Sequence, residues 1–209
     1  MSKQFRQLIF ILIIISFNLP ISSLAIPIAV VEAVQEAAAF QRESRQQPLK
    51  KGIELLRGDI ITTGSDARVA IRFSDGSLAR IGAHARVVIE RLMPPPADKE
   101  EGGLTGVFEV LKGIFRFSTS RRVDVKINVG HVISAGVRGT DVYTHAKVDK
   151  DMVCLIEGKV KVQAGEVTEW LTQPKEGFIV PKGKAPLPIN LIPEETFQKW
   201  LINSELKVQ

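Results

Sequence analysis

Cysteine, histidine and large aromatic rings are all scarce in this sequence, and each scarcity closes off a class of function. The single cysteine, Cys154, leaves no partner for an intrachain disulfide, so stability must come from packing and backbone pairing. It lies in the apolar run 152–156, where a buried, inert thiol is expected. Trp170, Trp200 and Tyr143 are the only large rings beside ten phenylalanines. That is too few for base-stacking platforms, so nucleic acid is not an expected partner despite a pI near 9.4. The histidines His84, His131 and His145 stand apart from one another and from any cysteine or carboxylate at metal-ligand spacing, and each is expected as a solvated or capping residue. Neither the dinucleotide-binding glycine spacing nor a phosphate-loop Gly-Lys-Ser/Thr occurs. No metal, cofactor or catalytic residue is therefore expected, and the chain is read as a non-enzyme.

With 44% hydrophobic and 24% charged residues, 209 residues are enough for one sizeable core. The first seven residues carry Lys3 and Arg6 and no acid. Leu8 to Phe17 then holds nine apolar residues in ten, before Asn18 and Pro20 interrupt it. Ser23 and Ala25 supply the small residues of a signal-peptidase site, so residues 1–25 read as a signal peptide and the mature chain is expected to start at Ile26. The competing reading is an uncleaved inner-membrane anchor, since no charge occurs from Leu8 to Val31, a stretch of 24 residues. Membrane contact is expected only in that second case. Either reading exports the remainder to a periplasmic or other extracytoplasmic location. Removing Lys3 and Arg6 leaves 26 basic against 23 acidic residues, a net charge of +3 in place of +5.

Beyond Ala67 the dominant period is two. Ala67, Val69, Ile71 and Phe73 alternate with Arg68, Ala70 and Arg72; Val123, Val125, Ile127 and Val129 alternate with Asp124, Lys126 and Asn128. Val142, Thr144, Ala146 and Val148 form one face of a further strand, with Asp141, Tyr143, His145 and Lys147 on a polar face. Such alternation predicts half-buried strands and an all-β class. Ser74-Asp75-Gly76-Ser77 and Asp149-Lys150-Asp151 read as hairpin tips rather than as a nucleophile site or a calcium loop, because the partner groups either chemistry needs are missing. Three segments, 55–62, 110–117 and 155–162, each run two aliphatics, a charge, a glycine and a strand. They suggest a short β-solenoid or other twisted stack of strands, with a β-sandwich as the alternative.

Two segments resist the strand pattern. Residues 30–44 are rich in Ala, Glu and Gln, and propensity alone favours a helix there. Pro193-Glu194-Glu195 followed by Phe197, Trp200 and Leu201 predicts a C-terminal helix packed on the domain. Residues 93–105, with three prolines, read as an exposed loop. The expected organisation is thus a signal peptide at 1–25, a β-rich domain at 26–186 and a C-terminal extension with a short helix at 187–209. Arg116, Arg121 and Arg122 around Ser118-Thr119-Ser120, with Arg138, are the candidate partner-binding residues, for an envelope protein or an anionic glycan.

Taken together, the segments 48–52, 57–64 (Arg-Gly-Asp-Ile-Ile-Thr-Thr-Gly), 67–77, 136–142 (Gly-Val-Arg-Gly-Thr-Asp-Val) and 155–162 (Leu-Ile-Glu-Gly-Lys-Val-Lys-Val) resemble, in order, the FecR domain family, from about Val30 to Pro186. The resemblance implies an extracytoplasmic, solenoid-like β module and draws residues 30–44 toward strand. In its best-known members it implies a membrane-anchored regulator that relays the state of an outer-membrane iron-siderophore receptor to a sigma factor. Those members carry a cytoplasmic region ahead of their membrane helix, whereas seven residues precede the apolar run here, so the sigma-factor contact is not carried over. No catalytic residues follow from the resemblance. The leading expectation is a non-enzymatic exported binding module; the alternative is an anchored component of an iron-responsive type of relay.

Overall fold

A computed structural model of the chain describes residues 27–94 and 102–206. These residues form fifteen strands and one helix, and backbone hydrogen bonding runs without a break through all fifteen strands, every pair antiparallel. Two separate sheets, as a sandwich requires, do not form among the described residues; the stack is a single twisted, branching sheet.

The segment expected to favour a helix is β1 (Ala29–Gln35) and β2 (Ala38–Arg42), separated at Glu36 by a left-handed φ of 58°. Propensity loses because Ala29, Val31 and Phe40 are buried, and their strands have ready partners on both sides. Short strands follow: β3 (Arg45–Pro48), β4 (Glu54–Leu55), β5 (Ile60–Thr63), β6 (Arg68–Phe73), β7 (Leu78–Ile81) and β8 (Arg86–Met93). The β6–β7 connection is the expected hairpin tip, with Gly76 at φ 86° and Asp75 accepting from the Ser77 backbone and hydroxyl.

Two long strands, β9 (Gly102–Val129) and β10 (Val132–Ala146), form the spine. β9 first pairs with β8, then with β7, and pairs with β10 from Gly113 onward. β10 pairs first with β12 (Val160–Ala164) and then with β11 (Lys150–Glu157). β13 (Val167–Leu171), β14 (Glu176–Pro181) and β15 (Asn190–Leu191) complete the edges. The spine therefore joins three sections of sheet: a central one from β4 to β15, a second of β3, β2, β5 and β8, and a third of β12 and β13 with the adjoining parts of β9 and β10. Their inward side chains share one core, centred on Phe73, Phe108, Phe115 and Phe117, whose ring centroids lie 5.3–6.0 Å apart.

The three repeated segments have a common backbone reason for their glycine. Gly58, Gly113 and Gly158 all sit at φ 83–89°, a region that side chains avoid, and Gly113 does so where β9 changes partners. The aliphatic two residues before the charge is buried each time, as Leu55, Val110 and Leu155.

Several expectations are corrected. Val148 does not continue the Val142, Thr144, Ala146 face; it is 92% exposed at the β10–β11 turn. The face of β10 carrying Tyr143 and His145 is not solvated, because the helix α1 (Glu194–Ser204) covers it: Tyr143 is buried and His145 half-buried. Asp151 is not a hairpin tip but a fully buried residue of β11, taking both Nζ contacts of Lys182 at 2.7 and 2.6 Å and the His131 backbone N–H at 3.1 Å. The expected signal at 1–25 lies outside the described residues. Of the 93–105 loop, residues 95–101 also lie outside them, while Met93 ends β8 and Gly102 begins β9.

Candidate functional site

The outer face of the central section is organised by register. Arg80 lies opposite Arg116, Arg116 opposite Tyr143, Tyr143 opposite Cys154, and Cys154 opposite Gly177, one row crossing β7, β9, β10, β11 and β14. Helix α1 lies along this row. Trp200 stacks on Tyr143 with centroids 5.2 Å apart and planes 4° off parallel. Phe197 and Ile192 close over Ile114 and Cys154, and Ile192 occupies the space a side chain at Gly177 would need. Burial in this apolar seat pushes the Cys154 thiol up to about 12.

Arg116, one of the expected partner-binding residues, is used inside the molecule. Its Nε and Nη2 donate to the two carboxylate oxygens of Asp141 at 2.8 and 2.6 Å, and its Nη1 donates to Glu205 at 2.5 Å. Glu205 also meets Arg80 Nε at 3.0 Å. Burial works against the Arg116 charge, yet Asp141 and Glu205 together hold its pKa above the ordinary value; for Arg80, burial dominates and the pKa is lowered. Helix α1 has no basic residue in its last turn, so the two sheet arginines provide the positive charge that its C-terminal end favours.

Arg121 and Arg122 are exposed. Arg122 lies opposite Arg138 across the β9–β10 ladder, the side chain of Arg138 being outside those described. Beside them opens a groove of about 430 Å³, where 118–120 of β9 meets 139–141 of β10. A second register row runs through it: Arg72, Leu78, Ser118, Asp141 and Glu157. Hydroxyls form much of its floor; Arg72, paired with Glu32 at 3.0 Å, stands at one end and Glu157 at the other. The groove thus offers both charge signs and several hydrogen-bonding groups, a surface suited to an extended polar segment. Of the expected residues, Arg116 is engaged by Asp141 and Glu205, whereas Arg121 and Arg122 remain exposed.

The acids singled out by motif act as staples. Asp59 is fully buried and accepts from Arg42 Nε and Nη2 at 2.8 and 2.7 Å and from the Leu56 backbone at 2.8 Å. Asp75 also accepts from the Leu104 N–H at 2.9 Å, fastening the β6–β7 tip to the start of β9. Thr140 donates to the Lys159 carbonyl at 3.1 Å, tying segment 136–142 to segment 155–162. Among the described residues no three His, Cys, Asp or Glu side chains converge as a metal site. His84 sits in a turn at φ 53°, His131 is exposed, and His145 accepts from or donates to the Tyr143 hydroxyl at 3.2 Å. Burial, with Lys147 and Lys150 nearby, pushes His145 down to about 4, and burial raises Tyr143, so both partners of this contact are neutral near pH 7.

Asp141 and Glu205, the partners that decide what Arg116 does, are absent from the sequence-based candidates. Asp141 had a signal, being an acid on the same strand face as Tyr143; Glu205 had none.

The model of the family described as FecR protein matches residues 59–161. Two crystal structures of a proposed anti-sigma factor from Parabacteroides distasonis share the fold, each with TM-score 0.53 and 18% identity over 68% of this chain. The chain spans 64% and 63% of those two chains, less than two thirds of their length. No curated protein matches.

Proposed function

Starting from a chain whose residues 59–161 belong to the FecR family, we propose that it is an exported, non-catalytic envelope module that binds a protein partner in a regulatory role. The carrying observation is the open groove between 118–120 and 139–141, flanked by exposed Arg121 and Arg122 and by Arg138 on the facing strand. Binding is favoured over catalysis because Asp59, Asp75, Asp141 and Asp151, the acids most enclosed by the fold, are all engaged with cations or backbone N–H groups. The structural neighbours, described as anti-sigma factors, support a signalling role for this kind of fold. Export rests on the apolar run at 8–17 and cleavage after Ala25.

A photo-crosslinking amino acid placed at Arg121 or at Ser120 in cells tests this reading. Capture of a defined envelope protein, lost when Arg121 and Arg122 are both changed to Glu, is the expected result; absence of any crosslink above that from a site on the opposite edge would overturn it. An anchored version has less chain to use than the charge-free stretch suggests. Ala29 and Val31 are fully buried in the sheet, so a membrane helix would have to end before residue 29. The mass of the protein isolated from cells distinguishes the two, cleavage giving a chain that starts at Ile26.

A further inference from the structure

The central section is covered by the core within and, along the row of Arg116, Tyr143 and Cys154, by α1 without. The third section has no such outer cover among the described residues. Ile127, Val162 and Leu171 face the core, which leaves the opposite side of the last part of β9, the first part of β10, β12 and β13 without a covering element among the described residues.

Two register rows cross this face. In one, Lys126 lies beside Ala135, Ala135 beside Lys161, and Lys161 beside Trp170; in the other, Asn128, Ile133 and Gln163 are neighbours. Trp170 is 53% exposed and Ile133 41%. Neither lysine has a hydrogen-bond or ion-pair partner among the described residues. No acid lies in either row; Asp124 is two residues before Lys126 on β9, and Glu169 points to the other side of β13. The outermost strand, β13, pairs only with β12, so the face ends in an open rim at Trp170.

The chemistry of the two rows is that of a platform rather than a pocket. A flat indole presents its ring to C–H groups, side-chain amides offer donors and acceptors together, and ammonium groups act as mobile point charges. With strands about 4.8 Å apart, Lys126 and Lys161 stand roughly 9 to 10 Å from one another, and Trp170 one strand further on. We infer that this face binds an anionic polysaccharide, its pyranose ring stacked on Trp170 and the carboxylates of successive units meeting Lys161 and Lys126. A protein hot spot would instead need a larger desolvated apolar centre and an enclosing rim. The face is separate from the groove at 118–120, so this assignment stands or falls independently of the partner proposed there.

Soluble polygalacturonate titrated into the full chain at low ionic strength, followed by titration calorimetry, tests it. Expected are saturable binding that weakens as salt is added, no response to uncharged dextran, and about a tenfold loss of affinity for Trp170→Ala and for the Lys126→Gln/Lys161→Gln double variant. The double variant changes only exposed side chains, so it remains informative if Trp170→Ala misfolds. The inference is overturned by undiminished binding in the double variant. Absence of binding overturns it too, as does equal, lysine-dependent binding of polyglutamate or of phosphatidylglycerol vesicles, which would assign the face to an acidic protein or to a lipid surface.

Discussion

The carbonyl oxygen of Gly139 occupies the space that a Cβ on Gly158 would need. Two motifs that are 19 residues apart in sequence are therefore in backbone contact, and Gly158 is needed twice over, for that approach and for its φ of 85°.

Gly158→Ala is expected to destabilise the domain by about 3 kcal/mol, the left-handed backbone and the overlap acting together. Gly76, at φ 86° but with nothing within 4 Å of the position a methyl group would take, isolates the first effect. Gly76→Ala should cost only about 1 to 2 kcal/mol. Urea unfolding of the two variants side by side measures the difference; equal losses would remove the role assigned to the Gly139 contact.

Replacing Arg116 by Met strands Asp141 in a largely enclosed position and should cost about 3 kcal/mol. Glu205→Gln acts at an exposed carboxylate, so its effect on global stability should stay within about 1 kcal/mol. Its expected signature is local: a looser α1, read as a red-shifted Trp200 emission in a Trp170→Phe background. An unchanged emission would show that Arg80 and Arg116 do not hold the helix end.

His145 gives the fold a defined acid sensitivity. Unfolded, it takes up a proton near its ordinary 6.5; folded, only near about 4, because burial and the flanking lysines oppose the charge. Between those values the unfolded chain binds more protons, so this residue makes stability fall as pH drops from 6.5 toward 4 and leaves it unaffected above that window. His145→Gln should flatten the decline in urea midpoint between pH 6.5 and 4, by at most about 1.4 kcal/mol per pH unit. An identical decline in the variant would show that other groups cause it.

Cys154 should be inert toward thiol reagents in the native state at about pH 8, since its pKa is pushed up to about 12 and its side chain is covered by α1. Labelling by a disulfide exchange reagent is expected to follow the opening of α1 or global unfolding. Rapid labelling of the native protein would contradict the seat described for the helix.

Strand content was legible because the alternation at 123–129 and 67–73 carries through directly into inward and outward faces. The C-terminal helix was legible for a similar reason, its acids and its apolar stripe being local. What could not be read were relationships across the sheet. Arg116 looked like a surface cation because its partners lie 25 and 89 positions away. Tyr143 and His145 looked solvated because the alternation of one strand says nothing about a helix arriving from much later in the chain. In residues 30–44 single-residue propensity pointed the wrong way, and the family resemblance, which reflects pairing partners, pointed the right one. The partner-binding arginines remain a proposal resting on Arg121 and Arg122, with Arg116 diverted to the helix.

An eleven-residue helix is too short to persist alone in water. The cations at the C-terminal end of α1 belong to β7 and β9, and the aromatic ring under Trp200 belongs to β10. Its seat therefore exists only after those three strands have paired. Docking of α1 thus depends on long-range pairing completed elsewhere in the chain, although the helix itself is local in sequence and follows all fifteen strands.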